Sequence, residues 1–260
     1  MATIEAKLQQ VRARIVRACA AAQRPVQSVT LLAVSKTFGA DAVREAHAAG
    51  LAAFGENYVQ ETLAKIAALA DLRRRLGWHL IGPLQSNKTQ VVAETFDWVQ
   101  TVDRLKIAER LSAQRPPHLP ALQVCLQVKV SGEESKSGVT PEGLPALAHA
   151  VAALPRLRLR GLMSIPNPTS DFAAQREPHR RLRELLVALN AQGLELDTLS
   201  MGMSADLEAA VAEGSTMLRV GSAIFGMRMT TPPALRADSP EGSAGPDAWE
   251  RPGAGPARGR

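Results

Sequence analysis

The chain has 260 residues, 45% of them hydrophobic and 22% charged, a balance that excludes collagen, coiled coil and wholesale disorder. Aromatic residues make up only 3%, so Ala, Leu, Val and Ile must fill the core, and the stacking platforms of single-strand nucleic-acid binders are missing. The net charge of +6 would suit a polyanion, yet the basic residues are scattered among acids, with short groups only at Arg73–Arg75 and at Arg180, Arg181 and Arg183; solvated helix faces look like this, and no nucleic-acid partner is expected.

From the amino end, Ile4, Leu8, Val11, Ile15 and Val16 recur at helical spacing and predict an amphipathic helix over residues 4–22. Glu5, Lys7, Arg12 and Arg14 interrupt any apolar leader, and no later run approaches the length of a membrane span. Cys19 and Cys125 lack both metal-ligand spacing and disulfide companions. These features fit a cytoplasmic protein without a membrane partner.

Next come short β-branched or aliphatic runs at Val29–Val34, Ala52–Phe54, Trp78–Ile81, Trp98–Val102, Ala121–Val130, Leu157–Ile165, Thr198–Met201 and Met217–Val220. Between them, helical periodicity marks Asp41–Ala49, Val59–Leu69, Arg104–Arg115, Leu144–Leu154, Arg176–Asn190 and Ala205–Ala212. Alternating strands and helices joined by short loops imply parallel strands, and eight such units suffice for a closed barrel. The expected fold is α/β, a single (β/α)8 TIM-type barrel over residues 1–229 with an added N-terminal helix; a doubly wound open sheet has the same periodicity. Residues 230–260 hold six Pro, five Gly and six Ala, a composition that buries too little to offset its ordering entropy, and a disordered tail is expected there.

Barrel enzymes build their sites at the carboxyl ends of the strands. Lys36 follows the apolar run Leu31–Val34 after a single serine, Ser35, where partial burial would make its amine nucleophilic enough for a Schiff base; the competing reading is a lysine snorkelling to solvent. After the last two strands come Ser200-Met201-Gly202-Met203-Ser204 and Arg219-Val220-Gly221-Ser222. Loops at this place in barrels often bind phosphate, Gly permits close backbone approach, and Ser204 is placed to cap a helix starting at Ala205. The alternative is a simple cap and turn. Arg219 shares a strand face with Gly221, either pointing into the barrel or forming an outer salt bridge.

Other candidates have two readings as well. Asn57 follows strand two and either meets a ligand or caps the next helix. His79 reads as a core histidine paired to backbone, since no other residues complete a zinc site. Lys136, after strand five, lies on the functional face but in a loop where lysines are usually solvated.

Four blocks carry a resemblance: Ala33-Val34-Ser35-Lys36-Thr37, Phe54-Gly55-Glu56-Asn57-Tyr58-Val59-Gln60-Glu61, Trp78 through Lys88, and Leu199-Ser200-Met201-Gly202-Met203-Ser204. In this order and spacing, with Gly161-Leu162-Met163 and Ser135-Lys136-Ser137-Gly138, the chain resembles the pyridoxal phosphate homeostasis protein family, also called the YggS or PROSC family, over residues 1–228. The resemblance implies a barrel similar to the N-terminal domain of alanine racemase, with pyridoxal 5'-phosphate (PLP) held on Lys36 as an internal aldimine. It further implies that Ser204, Gly221 and Ser222 hold the phosphate, that Arg219 faces the pyridine nitrogen and that Asn57 belongs to the pocket. The family often has Thr at the place of Ser222, and the hydroxyl is retained.

Racemases of similar fold take a second base from a tyrosine of an additional domain. This chain's single tyrosine, Tyr58, follows strand two and reads as packing on the barrel. The expected function is therefore a non-enzymatic monomeric carrier that buffers PLP and delivers it to PLP-dependent apoenzymes, with Lys136 as a candidate helper in transfer. An amino-acid racemase or other weak PLP-dependent enzyme is the alternative.

Overall fold

The computed structural model describes residues 2–131 and 137–226. The expected tail, residues 230–260, and Lys136 lie outside the described residues.

Helix α1 (Ile4–Ala21) starts at Thr3, whose side chain accepts the Ala6 N–H, and buries Leu8, Val11, Ile15, Ala18 and Cys19. Strand β1 (Thr30–Val34) then opens a regular alternation through α2 (Ala40–Ala48), β2 (Ala53–Glu56), α3 (Val59–Ala68), β3 (Gly77–Leu80), α4 (Thr89–Thr95) and β4 (Trp98–Val102). It continues with α5 (Leu105–Gln114), β5 (Leu122–Gln127), α6 (Leu144–Ala152), β6 (Leu157–Met163), α7 (Phe172–Ala191), β7 (Thr198–Ser200), α8 (Leu207–Ala212), β8 (Met217–Val220) and α9 (Ser222–Phe225). Each strand pairs in parallel with the next, and β8 returns to β1 with Leu32 opposite Arg219 and Ala33 opposite Val220. The sheet is thus a closed (β/α)8 barrel, and the open-sheet alternative is excluded.

Alternation along each strand sorts the apolar side chains into two groups. The larger fills the layer between sheet and helices, where Phe54, Trp78, Leu80 and Val99 meet Val43, Val92, Ile107 and Leu111. The smaller, formed by Leu32, Val34, Ile81 and Met217, lies inside the barrel.

Three of the arginines serve helix ends. Arg115 donates to the carbonyls of Ala93 and Phe96 at the end of α4, Arg156 to Ser112 and Ala113 near the end of α5, and Arg24 to Val211 in α8. They satisfy last-turn carbonyls that a helix cannot pair itself, and their charge suits the negative end of the helix dipole.

Several element boundaries differ from the sequence expectation, and α4 was not among the expected helices. β5 and β6 end at Gln127 and Met163, short of Val130 and Ile165; beyond β5, Val128 forms an isolated bridge to Val139. Helix α7 begins at Phe172, because Asp171 caps it by accepting the Ala174 N–H, and it carries Pro178 in its interior. Loss of that N–H costs about 3 kcal/mol, which burial of His179, Leu182, Leu186 and Leu189 must offset.

Candidate functional site

At the carboxyl ends of the strands lies a cavity of about 660 Å3, lined by Val34, Lys36, Phe38, Asn57, Ile81, Ile165, Met203, Ser204, Ala205, Arg219, Gly221, Ser222 and Gly226. The barrel thus brings Lys36, Asn57, Ser204, Arg219, Gly221 and Ser222 together from the ends of four strands, β1, β2, β7 and β8.

One wall comes from β1–β3. Lys36 leaves β1 half-buried, directly after Ser35, whose carbonyl accepts from Lys65 Nζ at 2.7 Å. Lys65 also meets Glu56 Oε1 at 2.7 Å and Glu61 Oε1 at 2.6 Å, and Ser35 Oγ donates to Glu56 Oε1 at 2.6 Å. Glu56 is fully buried, and burial holds its carboxyl above the usual range against the opposing pull of Lys65 and Ser35. Asn57 does not cap α3: Tyr58 is at the N-cap and makes no side-chain cap. The backbone of Asn57 instead crosses so close to Gly82 that a Cβ there would lie 2.2 Å from the Asn57 carbonyl oxygen. Tyr58 does not pack on the barrel either; it is 55% exposed.

The opposite wall comes from the ends of β7 and β8. Gly202, at φ +92°, turns the chain into Met203 and Ser204. Ser204 is not the cap of α8, which begins at Leu207 with Asp206 at its N-cap. Asp206 ties the turn together instead: its Oδ1 accepts the Met203 N–H at 2.6 Å, and its Oδ2 lies 2.9 Å from Nε2 of the buried His179. Burial works to raise the Asp206 carboxyl, but the hydrogen bonds from His179 and the Met203 N–H prevail and hold it below the usual range. Ser204 is thereby left beside Ser222, with hydroxyl oxygens 3.4 Å apart. Gly221 brings the end of β8 against β1, where a Cβ would sit 3.0 Å from the Val34 carbonyl oxygen.

Arg219 points into the barrel, not outward. It donates to Ser200 Oγ at 2.8 Å and to the Ser164 carbonyl at 2.7 Å, and burial lowers its pKa to about 10. Ser200 Oγ passes a hydrogen bond to Gln100 Oε1 at 2.6 Å, and Gln100 Nε2 lies 3.0 Å from His79 Nδ1. An amide nitrogen only donates, so Nδ1 accepts and the His79 ring is neutral; burial pushes its pKa down to about 3. His79 is a core histidine, as expected, but its partner is the Gln100 side chain and its ring stacks on Trp98 at 5.0 Å.

Sequence reasoning missed Lys65, Asp206 and His179. A signal existed for Lys65: it lies four residues after Glu61 and shares a helix face with Thr62, Ile66 and Leu69, an apolar setting that a lysine enters only with a partner.

The family model for the N-terminal domain of alanine racemase matches residues 6–229. The pyridoxal phosphate homeostasis protein of Pseudomonas aeruginosa is 63% identical over 234 residues, covering 90% of this chain and all of its own length. PipY of Synechococcus elongatus, solved with and without PLP, is 41% identical with a TM-score of 0.77, over 86% of this chain and 100% of its own. Alanine racemase of Corynebacterium glutamicum, at 17% identity and a TM-score of 0.61 over 86% of this chain and 62% of its own, shares the fold. Among the described residues, no helix is long and apolar enough to cross a membrane. By its family match and by its identity to full-length relatives, the chain belongs to the pyridoxal phosphate homeostasis protein family, whose barrel is that of the alanine racemase N-terminal domain.

Proposed function

We propose that this chain binds PLP in the cavity and serves as a reserve and carrier of it. One observation carries the reading: a lysine amine, two serine hydroxyls and a buried guanidinium line a single cavity of about 660 Å3, in a chain 63% identical to a protein named for pyridoxal phosphate homeostasis. Among the described residues Arg219 has no carboxylate hydrogen-bonded to it, only Ser200 Oγ and the Ser164 carbonyl. A guanidinium has five N–H groups, so donors remain for a neutral acceptor such as a ring nitrogen. These residues fit the group.

In this reading Lys36 supplies the amine for covalent attachment, Ser204, Ser222 and the backbone at Gly221 hold the phosphate, Arg219 faces the pyridine nitrogen and Asn57 completes the pocket. Bound there, PLP supplies an aldehyde that condenses with amines and a ring that accepts electrons. Arg219 moderates the second property, since a cation opposite the ring nitrogen disfavours a proton there.

Turnover as a racemase requires a base on each face of the substrate carbon. Among the described residues that line the cavity, Lys36 and Arg219 are the charged ones, and with a pKa of about 10 the guanidinium keeps its proton at neutral pH. Tyr58 is outside the lining. This supports holding and delivery to PLP-dependent apoenzymes over catalysis, with a weak amino-acid racemase as the second reading, favoured by the family's fold. Cys19 and Cys125 are separate buried thiols, which fits a cytoplasmic setting.

The test mixes the PLP-loaded protein with an apo form of a PLP-dependent enzyme, and separately with amino acids under chiral analysis. Restored activity of the apoenzyme, with no racemisation beyond that of free PLP, is expected. Racemisation that disappears in Lys36→Ala would promote the second reading.

A further inference from the structure

We infer that Lys65, acting through Glu61 and Glu56, is a positioning residue that fixes the direction in which Lys36 leaves strand β1. The inference rests on the reading of Lys36 as the attachment residue.

Its starting point is Thr37. Among the described residues, Gln23, Thr37 and Arg156 are the non-glycines with positive φ, and only Thr37 is β-branched, at φ +69°. A β-branched residue is strained there and stays only where its surroundings over-determine it. Thr37 is the third residue of a turn closed by the Phe38 N–H on the Ser35 carbonyl at 3.1 Å. Positive φ at that corner is the reason glycine usually fills it.

The contacts that hold this turn converge on one ammonium. The Thr37 N–H donates to Glu61 Oε1 at 2.7 Å. Lys65 Nζ meets that same oxygen at 2.6 Å, and reaches Glu56 Oε1 and the Ser35 carbonyl at 2.7 Å each. These three acceptors match the three N–H donors of an ammonium, so Lys65 has no freedom to turn elsewhere. Its side chain is 5% exposed, and that of Glu56 is fully buried.

The cluster therefore grips the backbone on both sides of Lys36, by the carbonyl of the residue before it and the amide of the residue after it. A buried ion cluster is a weak source of stability compared with apolar side chains of like volume. What this one provides is geometry at a single residue.

The test uses the full chain and three readouts. Amide exchange at Thr37, measured without ligand, should be faster in Lys65→Met and in Glu61→Gln than in the parent. Borohydride-trapped attachment of PLP to Lys36 should slow about tenfold or more in both, the scale of a misplaced reacting group. Adding Thr37→Gly to Lys65→Met should recover most of that loss, because glycine adopts the turn without the clamp. Glu61, with 31% of its side chain exposed, carries the test if Lys65→Met does not fold.

A folded Lys65→Met or Glu61→Gln protein that attaches PLP at the parent rate would overturn the inference, as would a slow Lys65→Met that Thr37→Gly leaves slow. Attachment in the parent at another lysine would overturn the reading of Lys36 instead. Amide exchange at Thr37 would still decide whether the clamp exists.

Discussion

The two walls of the cavity are held by different means. Behind Lys36 stands a buried ionic cluster, in which Lys65 joins Glu56, Glu61 and the Ser35 carbonyl. Behind Ser204 stand a glycine turn and a single His179–Asp206 pair. The contrast follows from what each wall presents. A long amine on a flexible stem needs its backbone fixed on both sides, whereas short hydroxyls and backbone N–H groups are aimed by the turn itself.

The largest effect is expected where backbone meets backbone. Gly82→Ala drives a methyl into the Asn57 carbonyl, and should cost about 3 kcal/mol in urea denaturation, since neither strand end can give way. A loss below about 0.5 kcal/mol, the range of ordinary surface substitutions, would mean that the lysine wall is looser than its contacts imply.

On the serine wall the expected loss falls on the ligand. Ser204→Ala should weaken PLP retention by about 1 to 3 kcal/mol, the worth of one charge-assisted hydrogen bond, and affect unphosphorylated pyridoxal much less. Equal losses for both ligands in equilibrium dialysis would remove Ser204 from the phosphate site.

Beneath both walls, His79 predicts a pH dependence. Its pKa falls from 6.5 to about 3 on folding, so the unfolded chain takes up a proton in this window and the folded chain does not. The stability it contributes is present above pH 6.5 and is lost as pH falls toward 3, at about 1.4 kcal/mol per pH unit. His79→Gln should flatten that slope in melts taken across the window. An unchanged slope would assign the acid sensitivity to other groups. The smallest effect is expected from deleting residues 230–260: on composition the segment buries little, so melting temperature and PLP retention should stay at the parent values, and a large drop in either would contradict that reading.

Much of the barrel was legible because the strands are short apolar runs and the longer helices apolar stripes, signals that survive without any knowledge of neighbours; the short α4 and α9 gave too few turns to show a stripe. Lys36, Arg219 and Gly221 were legible for a related reason: each follows or closes such a run, and strand ends define the functional face. What was not legible depends on register. Opposition of β3 and β4 brings Gln100 to His79, and no local pattern in either strand shows it. Ser204 looked like a helix cap because a serine preceded an apolar stripe, yet Asp206 two residues on takes the N-cap of α8 and also meets His179 from α7. Helix α7 likewise starts four residues before the expected Arg176, because Asp171 and not the apolar stripe fixes its first turn.

The most direct measurement reduces the PLP-loaded protein with borohydride, digests it and maps the modified peptide by mass spectrometry. An adduct on Lys36 that is absent from Lys36→Ala is expected. An adduct chiefly on another of the seven lysines, or PLP that washes away without leaving one, would contradict it.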